Sequence, residues 1–172
     1  MADNIVFGPK AKSGDVTAFT LSVLQDIMRV ANVVRLTITS TQRSPQDQAR
    51  VMFDNIVREG VAKQKALYKA PGQSVIDAYV TAKNAGKSAD DIKAAMVARI
   101  LEVGPDKVSR HAADPKVLNV FDISPSSVSA SEDVQQAFVR VARKDPRVSK
   151  VLTPADNDPA FHLEIPQPPQ QA

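Results

Sequence analysis

The 172-residue chain contains no cysteine and no tryptophan, and only two histidines. Without cysteine there is no disulfide framework, no thiolate nucleophile and no cysteine-ligated metal, so any metal chemistry falls to histidine and carboxylates. Aromatic residues make up 5% of the chain, and no basic cluster is interleaved with stacking rings, which disfavours a nucleic-acid groove. A net charge of +3 allows modest attraction to nucleic acid or an anionic envelope polymer and does not choose between them. No apolar run reaches 18 residues, so membrane insertion is not expected. The start "MADNIVFGPKAKSGD" lacks the basic region and hydrophobic core of a secretory signal, which predicts a cytoplasmic location at synthesis. An extracytoplasmic substrate would then require signal-independent release.

What is present reads as alternating helices and short strands. After an irregular start, "VTAFTLSVLQDIMRVAN" places Phe19, Val23, Ile27 and Val30 on one helical face. In "VVRLTITST" the period changes to two at Val34, Leu36 and Ile38, as in a strand. A helix is then predicted from Ser44 as cap, with Pro45 in the first turn, Asp47 at the third position and Gly60 as stop. Its apolar face is Ala49, Phe53, Ile56 and Val57.

The lysine-rich middle reads as helical, with turns near "APGQ" and "NAGKS" and helix starts at Ser74 with Asp77 and at Ser88 with Asp91. "VLNVFDIS" and "AFHLEI" read as strands, separated by a helix over "EDVQQAFVRVARK" and a connector with short strand potential. The expected class is α+β, a small central antiparallel sheet with flanking helices. The expected organisation is a single domain over 1–166 with a helical insertion at about 61–107, followed by a flexible tail at 167–172 rich in proline and glutamine.

Three residues have the chemistry of a catalytic zinc site: His111, Asp122 and His162. Imidazole and carboxylate donate electron pairs to zinc, and three protein ligands leave a position for water. The 11 positions between His111 and Asp122 exclude one helical turn, so a loop and a strand have to fold together. Arg43, just before a helix, stands where a rigid junction can aim it into a cleft.

The ordered stretches "TSTQRSPQDQ", "SRHAADPKVLNVFDIS" and "FHLEIP" together resemble the signatures of the M15 family of zinc D-Ala-D-Ala carboxypeptidases and related peptidoglycan peptidases, phage endolysins among them. The resemblance runs from residue 36 to 165 and leaves the middle helical stretch largely unmatched. It implies one zinc held by His111, Asp122 and His162. It also implies that Arg43 polarises the substrate carbonyl, that Ser109 positions substrate, and that Gln48 braces Arg43 or touches substrate.

Two positions depart from the family pattern. The segment "HAADPKVLNVFD" is longer than usual and has no glycine, which makes Asp114 a competitor to Asp122. The strand context of "FDIS" favours Asp122, whereas "ADP" resembles a turn. The family's catalytic glutamate position, three residues before the last histidine, is Pro159, which leaves Glu164 and Asp158 as alternative bases. Glu164 has a further possible role, orienting His162.

The expected activity is zinc-dependent hydrolysis of peptide bonds in bacterial peptidoglycan near a D-amino acid, by a monomer acting at the cell wall. The alternatives are a catalytically inactive, zinc-retaining peptidoglycan-binding or assembly protein, and a basic nucleic-acid-associated structural protein.

Overall fold

Five short strands and eight helices make up the computed structural model, which describes residues 4–169. In chain order they are β1 (Ile5–Phe7), α1 (Ala18–Val30), β2 (Leu36–Ser40), α2 (Pro45–Glu59), α3 (Val61–Leu67), α4 (Ala70–Asn84) and α5 (Ala89–Val103). There follow α6 (Pro105–Val108), β3 (Leu118–Ile123), α7 (Pro125–Val128), α8 (Glu132–Lys144), β4 (Lys150–Leu152) and β5 (Phe161–Pro166). They divide into two units, one of Met1–Gln42 with Ala113–Ala172 and one of Arg43–Ala112. No helix among the described residues is long and apolar enough to cross a membrane.

The first unit carries the sheet, in the order β1-β2-β3-β5-β4. The class is α+β as expected, but the sheet is mixed: β1, in the stretch read as irregular, pairs parallel with β2, and the other pairings are antiparallel. Three residues are too few to show a period, and a parallel partner about 30 positions away leaves no local mark. Alternate strand residues Leu36, Ile38, Phe121, Ile123, Leu163 and Ile165 pack with Val23, Leu24 and Ile27 of α1 and Phe138 of α8. Phe138 stacks on Phe161 with ring centroids 6.1 Å apart. Val30, assigned to the buried face of α1, is 65% exposed because the buried stripe runs through Val23, Leu24, Ile27, Met28 and on to Ala31, which leaves Val30 turned to its edge.

Beyond β5 the chain is still anchored at Gln167. Its backbone N–H donates to the Val117 carbonyl at 2.9 Å, and its amide donates to Thr20 Oγ1 at 3.0 Å. Residues 170–172 of the expected tail lie outside the described residues.

The second unit is helical and contains the stretch read as an insertion. Ala49, Met52 and Ile56 of α2 pack with Val75, Ile76 and Tyr79 of α4 and Ile92, Met96 and Ile100 of α5. Met52 takes the core position that the sequence reading gave to Val57, which is 63% exposed. The fourth helix starts at Ala70 rather than at Ser74, and "APGQ" is its first turn rather than a loop. Pro71 near the helix start needs no intrahelical N–H and so outweighs the cap-like Ser74/Asp77 pair; the Ser74 hydroxyl donates back to the Pro71 carbonyl at 2.7 Å.

The cap of α2 forms as the sequence predicts, with Ser44 Oγ accepting from the Asp47 N–H at 3.1 Å. Ser44→Ala is expected to remove about 1 kcal/mol and lower the melting temperature by about 2–4 °C. Thermal unfolding followed by circular dichroism measures this directly, and an unchanged midpoint would mean that the cap carries no stability.

Candidate metal centre

Asp122 of β3 stands opposite His162 of β5, and Val120 stands opposite Glu164. Side chains alternate along a strand. Phe121, Ile123, Phe161, Leu163 and Ile165 turn into the helix-covered core, so Asp122, His162 and Glu164 share the other face. The register is strongly specified: a slip of one residue would drive the carboxylates into the core. The hydrophobic alternation of "VFDI" and "FHLEI" is therefore what aims these three side chains.

The His162 ring is held at both nitrogens. Nδ1 lies 3.1 Å from Asp122 Oδ1 and Nε2 lies 3.2 Å from Glu164 Oε1. Both His162 and Glu164 are buried, at 6% and 3% exposed. Burial opposes a charge on the imidazole, but the hydrogen bonds and charges of Asp122 and Glu164 outweigh it and raise the pKa from 6.5 to about 9.

His111 lies in the 3-10 turn Arg110–Ala112 and is half-buried. Its carbonyl accepts from the Arg43 N–H at 2.6 Å, which ties the entry to α2 to this turn. His111, Asp122 and His162 form a group that could hold a metal ion, one ligand atom from each lying within 4.8 Å of the others. The donor set suits such an ion: two imidazoles and a carboxylate match borderline first-row divalent metals. The His162 contacts suit it as well. Two atoms bound to one tetrahedral ion at about 2.0–2.2 Å would stand about 3.3–3.6 Å apart, so Nδ1 and Asp122 Oδ1, at 3.1 Å, would need to part by only a few tenths of an ångström. Nε2 is then left to donate to Glu164, the outer carboxylate partner usual for a metal-bound histidine.

Asp114 is exposed, and its carboxylate accepts from the Lys116 N–H at 2.9 Å, the turn role that its "ADP" context suggests. It is not part of the His/Asp/His group. Asp158 is half-buried in the loop before β5, and its Oδ1 accepts from the Ala160 N–H at 3.0 Å. Ser109 caps α6 with its N–H on the Pro105 carbonyl at 3.1 Å and is half-buried.

In the helical unit Arg43 is half-buried, and its side chain makes no hydrogen bond or ion pair among the described residues. Gln48 is fully buried, and among the described residues no geometrically good hydrogen bond reaches its Oε1 or Nε2. Tyr68, which no pattern in the sequence singles out, packs against Gly72, and burial raises its pKa while Arg43 and the Gln48 side chain pull the other way. The available signal was a glycine placed inside a helix straight after Pro71. Comparison of the chain with protein-family models, curated proteins and solved structures finds no match.

Proposed function

We propose that the chain is a zinc-dependent peptidase of bacterial peptidoglycan, with an architecture like that of the M15 peptidases, acting as a monomer at the cell wall. The observation that carries this reading is the His162 ring, held between Asp122 and Glu164 on paired strands, with His111 completing a His/Asp/His donor set. That constellation fits the order of ligands in the family that the sequence resembles.

A zinc ion held by His111, Asp122 and His162 would supply a Lewis acid and lower the proton affinity of water. The other roles belong to the chain. Arg43 brings a fixed charge and a fork of donors to the negative charge that develops on the peptide carbonyl oxygen. Ser109 brings a half-buried hydroxyl to hold a polar group of the substrate. Glu164, committed to Nε2, acts by orienting His162. Asp158 is then the carboxylate that takes a proton from water as the C–O bond forms and returns it to the departing amine as the C–N bond breaks.

One observation favours a second reading, a zinc-retaining protein that binds peptidoglycan without cutting it. Pro159 stands where the family has its base, and Glu164 is engaged with His162. Zinc stoichiometry of the purified protein, combined with mass spectrometry of muropeptides before and after incubation, separates the two. One ion per chain and zinc-dependent new amines support the peptidase. One ion with unchanged muropeptides supports the binding protein, and no bound ion removes both readings.

A further inference from the structure

A groove of about 510 Å³ runs along α8 in the sheet-bearing unit, within the roughly 300–1,000 Å³ usual for small-ligand sites. One wall is a single helical stripe, since Glu132, Gln135, Gln136, Val139, Arg140 and Arg143 recur at spacings of three and four. The other wall is Thr153, Pro154 and Ala155, and the buried Val139 and Phe161 make the floor.

Both walls are held by bonds of their own. Thr153 Oγ1 donates to Asp156 Oδ2 at 2.9 Å, which closes the 3-10 turn Pro154–Asp156. Arg143 Nη2 donates to the same oxygen at 3.0 Å and so joins the turn to the helix at one end of the groove. Gln135 Nε2 donates to the Ser129 carbonyl at 2.7 Å, and Gln136 Nε2 donates to Glu132 Oε1 at 3.4 Å. Each of these amides keeps its own Oε1 as an acceptor.

The groove is also polarised along its length, with the Glu132 carboxylate towards one end, the two amides between, and the Arg140 guanidinium towards the other. Glu132 and Arg140 are both exposed, and neither makes an ion pair among the described residues; Asp156 engages Arg143 instead. Eight helical positions put the two charges about 12 Å apart. Four residues of extended chain span about 13 Å. A carboxylate seats an ammonium, a guanidinium seats a carboxylate with its fork of donors, and amide oxygens accept from peptide N–H groups. A polyanion fits less well, because Glu132 and the adjacent exposed Asp133 repel it and the one ring in the groove, Phe161, is too buried to stack on a base.

We propose that this groove binds a short extended peptide with both ends free, about four residues long, with its ammonium at Glu132 and its carboxylate at Arg140. The site lies apart from the candidate metal centre. Phe161 turns into the helix-covered core, whereas Asp122, His162 and Glu164 project from the opposite face of the sheet. Peptide binding here therefore needs neither metal nor turnover, and a failure of the peptidase reading leaves it unaffected.

The test is titration of the isotope-labelled, zinc-loaded protein with tetraalanine, followed through its backbone amide resonances. Tetraalanine with free ends is expected to shift the amides of Gln135, Gln136 and Arg140, and to do so equally after zinc is chelated. Acetylating its amino end or amidating its carboxyl end should each weaken binding about two- to fivefold, as for loss of an exposed ion pair. Glu132→Gln is expected to erase the effect of acetylation and keep that of amidation, and Arg140→Gln to do the reverse. Both side chains are exposed, so the melting temperature of each variant should match that of wild type.

A peptide that shifts none of these amides, or shifts them equally with both ends blocked, overturns the proposal. Shifts that vanish on chelation place the peptide at the metal centre and overturn it as well. The same amides shifted by a DNA oligonucleotide and not by tetraalanine would replace the peptide with a polyanion.

Discussion

His162→Ala is expected to abolish metal binding and to reduce amine release from peptidoglycan at least about a thousandfold. The magnitude follows from what is lost: Lewis-acid stabilisation worth several kcal/mol disappears with the ion, and each 1.4 kcal/mol is about a factor of ten in rate. His162 is held at both ring nitrogens, by Asp122 at 3.1 Å and Glu164 at 3.2 Å. Alanine also takes a partner from the buried Glu164, and that contribution has to be separated from the metal effect. Chelation of the wild type separates them, because it removes the ion and leaves the side chains. If activity falls to the same floor in the chelated wild type and returns with added zinc, while the variant stays inactive with zinc present, His162 acts through the metal. A His162→Ala protein that still binds one ion per chain would remove His162 from the donor set.

How far this site was legible in the sequence follows from the range of the forces that build it. Ser44 and Ser88 could be read as caps because each bonds a backbone N–H three residues on, at 3.1 and 3.2 Å, and such contacts are local. The hydrophobic alternation around Asp122 and His162 was legible as two strands. That these residues would stand directly opposite one another was not, since pairing register depends on residues about 40 positions apart. The same holds for β1 and for the sense of its pairing. Glu164 could be read as lying on the face of His162, because strand side chains repeat every two residues. Its grip on Nε2 became visible only with the ring orientation that Asp122 imposes. The start of α4 was illegible for a different reason: Ser74 with Asp77 resembles a cap, whereas the helix begins at Ala70, and that earlier start puts Gly72 under the Tyr68 ring.

The tie between Glu164 and His162 gives the second large expectation, a metal affinity that depends on pH and on Glu164. In the metal-free chain the His162 pKa is raised from 6.5 to about 9. The folded state therefore holds a proton that the unfolded state has released between those values, and stability falls as pH rises through the window. The full contribution is present below pH 6.5 and amounts to about 3 kcal/mol, at 1.4 kcal/mol per pH unit. An ion competes for the same nitrogen. Metal uptake at pH 7 should release about one proton from His162, and the zinc-loaded protein should lose the steep decline. Glu164→Gln removes one of the two carboxylates that favour the imidazolium, so the window should narrow towards pH 6.5. The amide still accepts from Nε2 but no longer polarises the ring, and loss of such an outer partner costs about 10–100-fold in metal affinity. Calorimetry of zinc binding in two buffers of different ionisation enthalpy reads both the affinity and the proton count. If Glu164 instead served only as the base, Glu164→Gln would suppress amine release with zinc affinity and proton release unchanged. The two roles thus predict opposite outcomes from one substitution, and the buried Nε2 contact favours the loss of affinity.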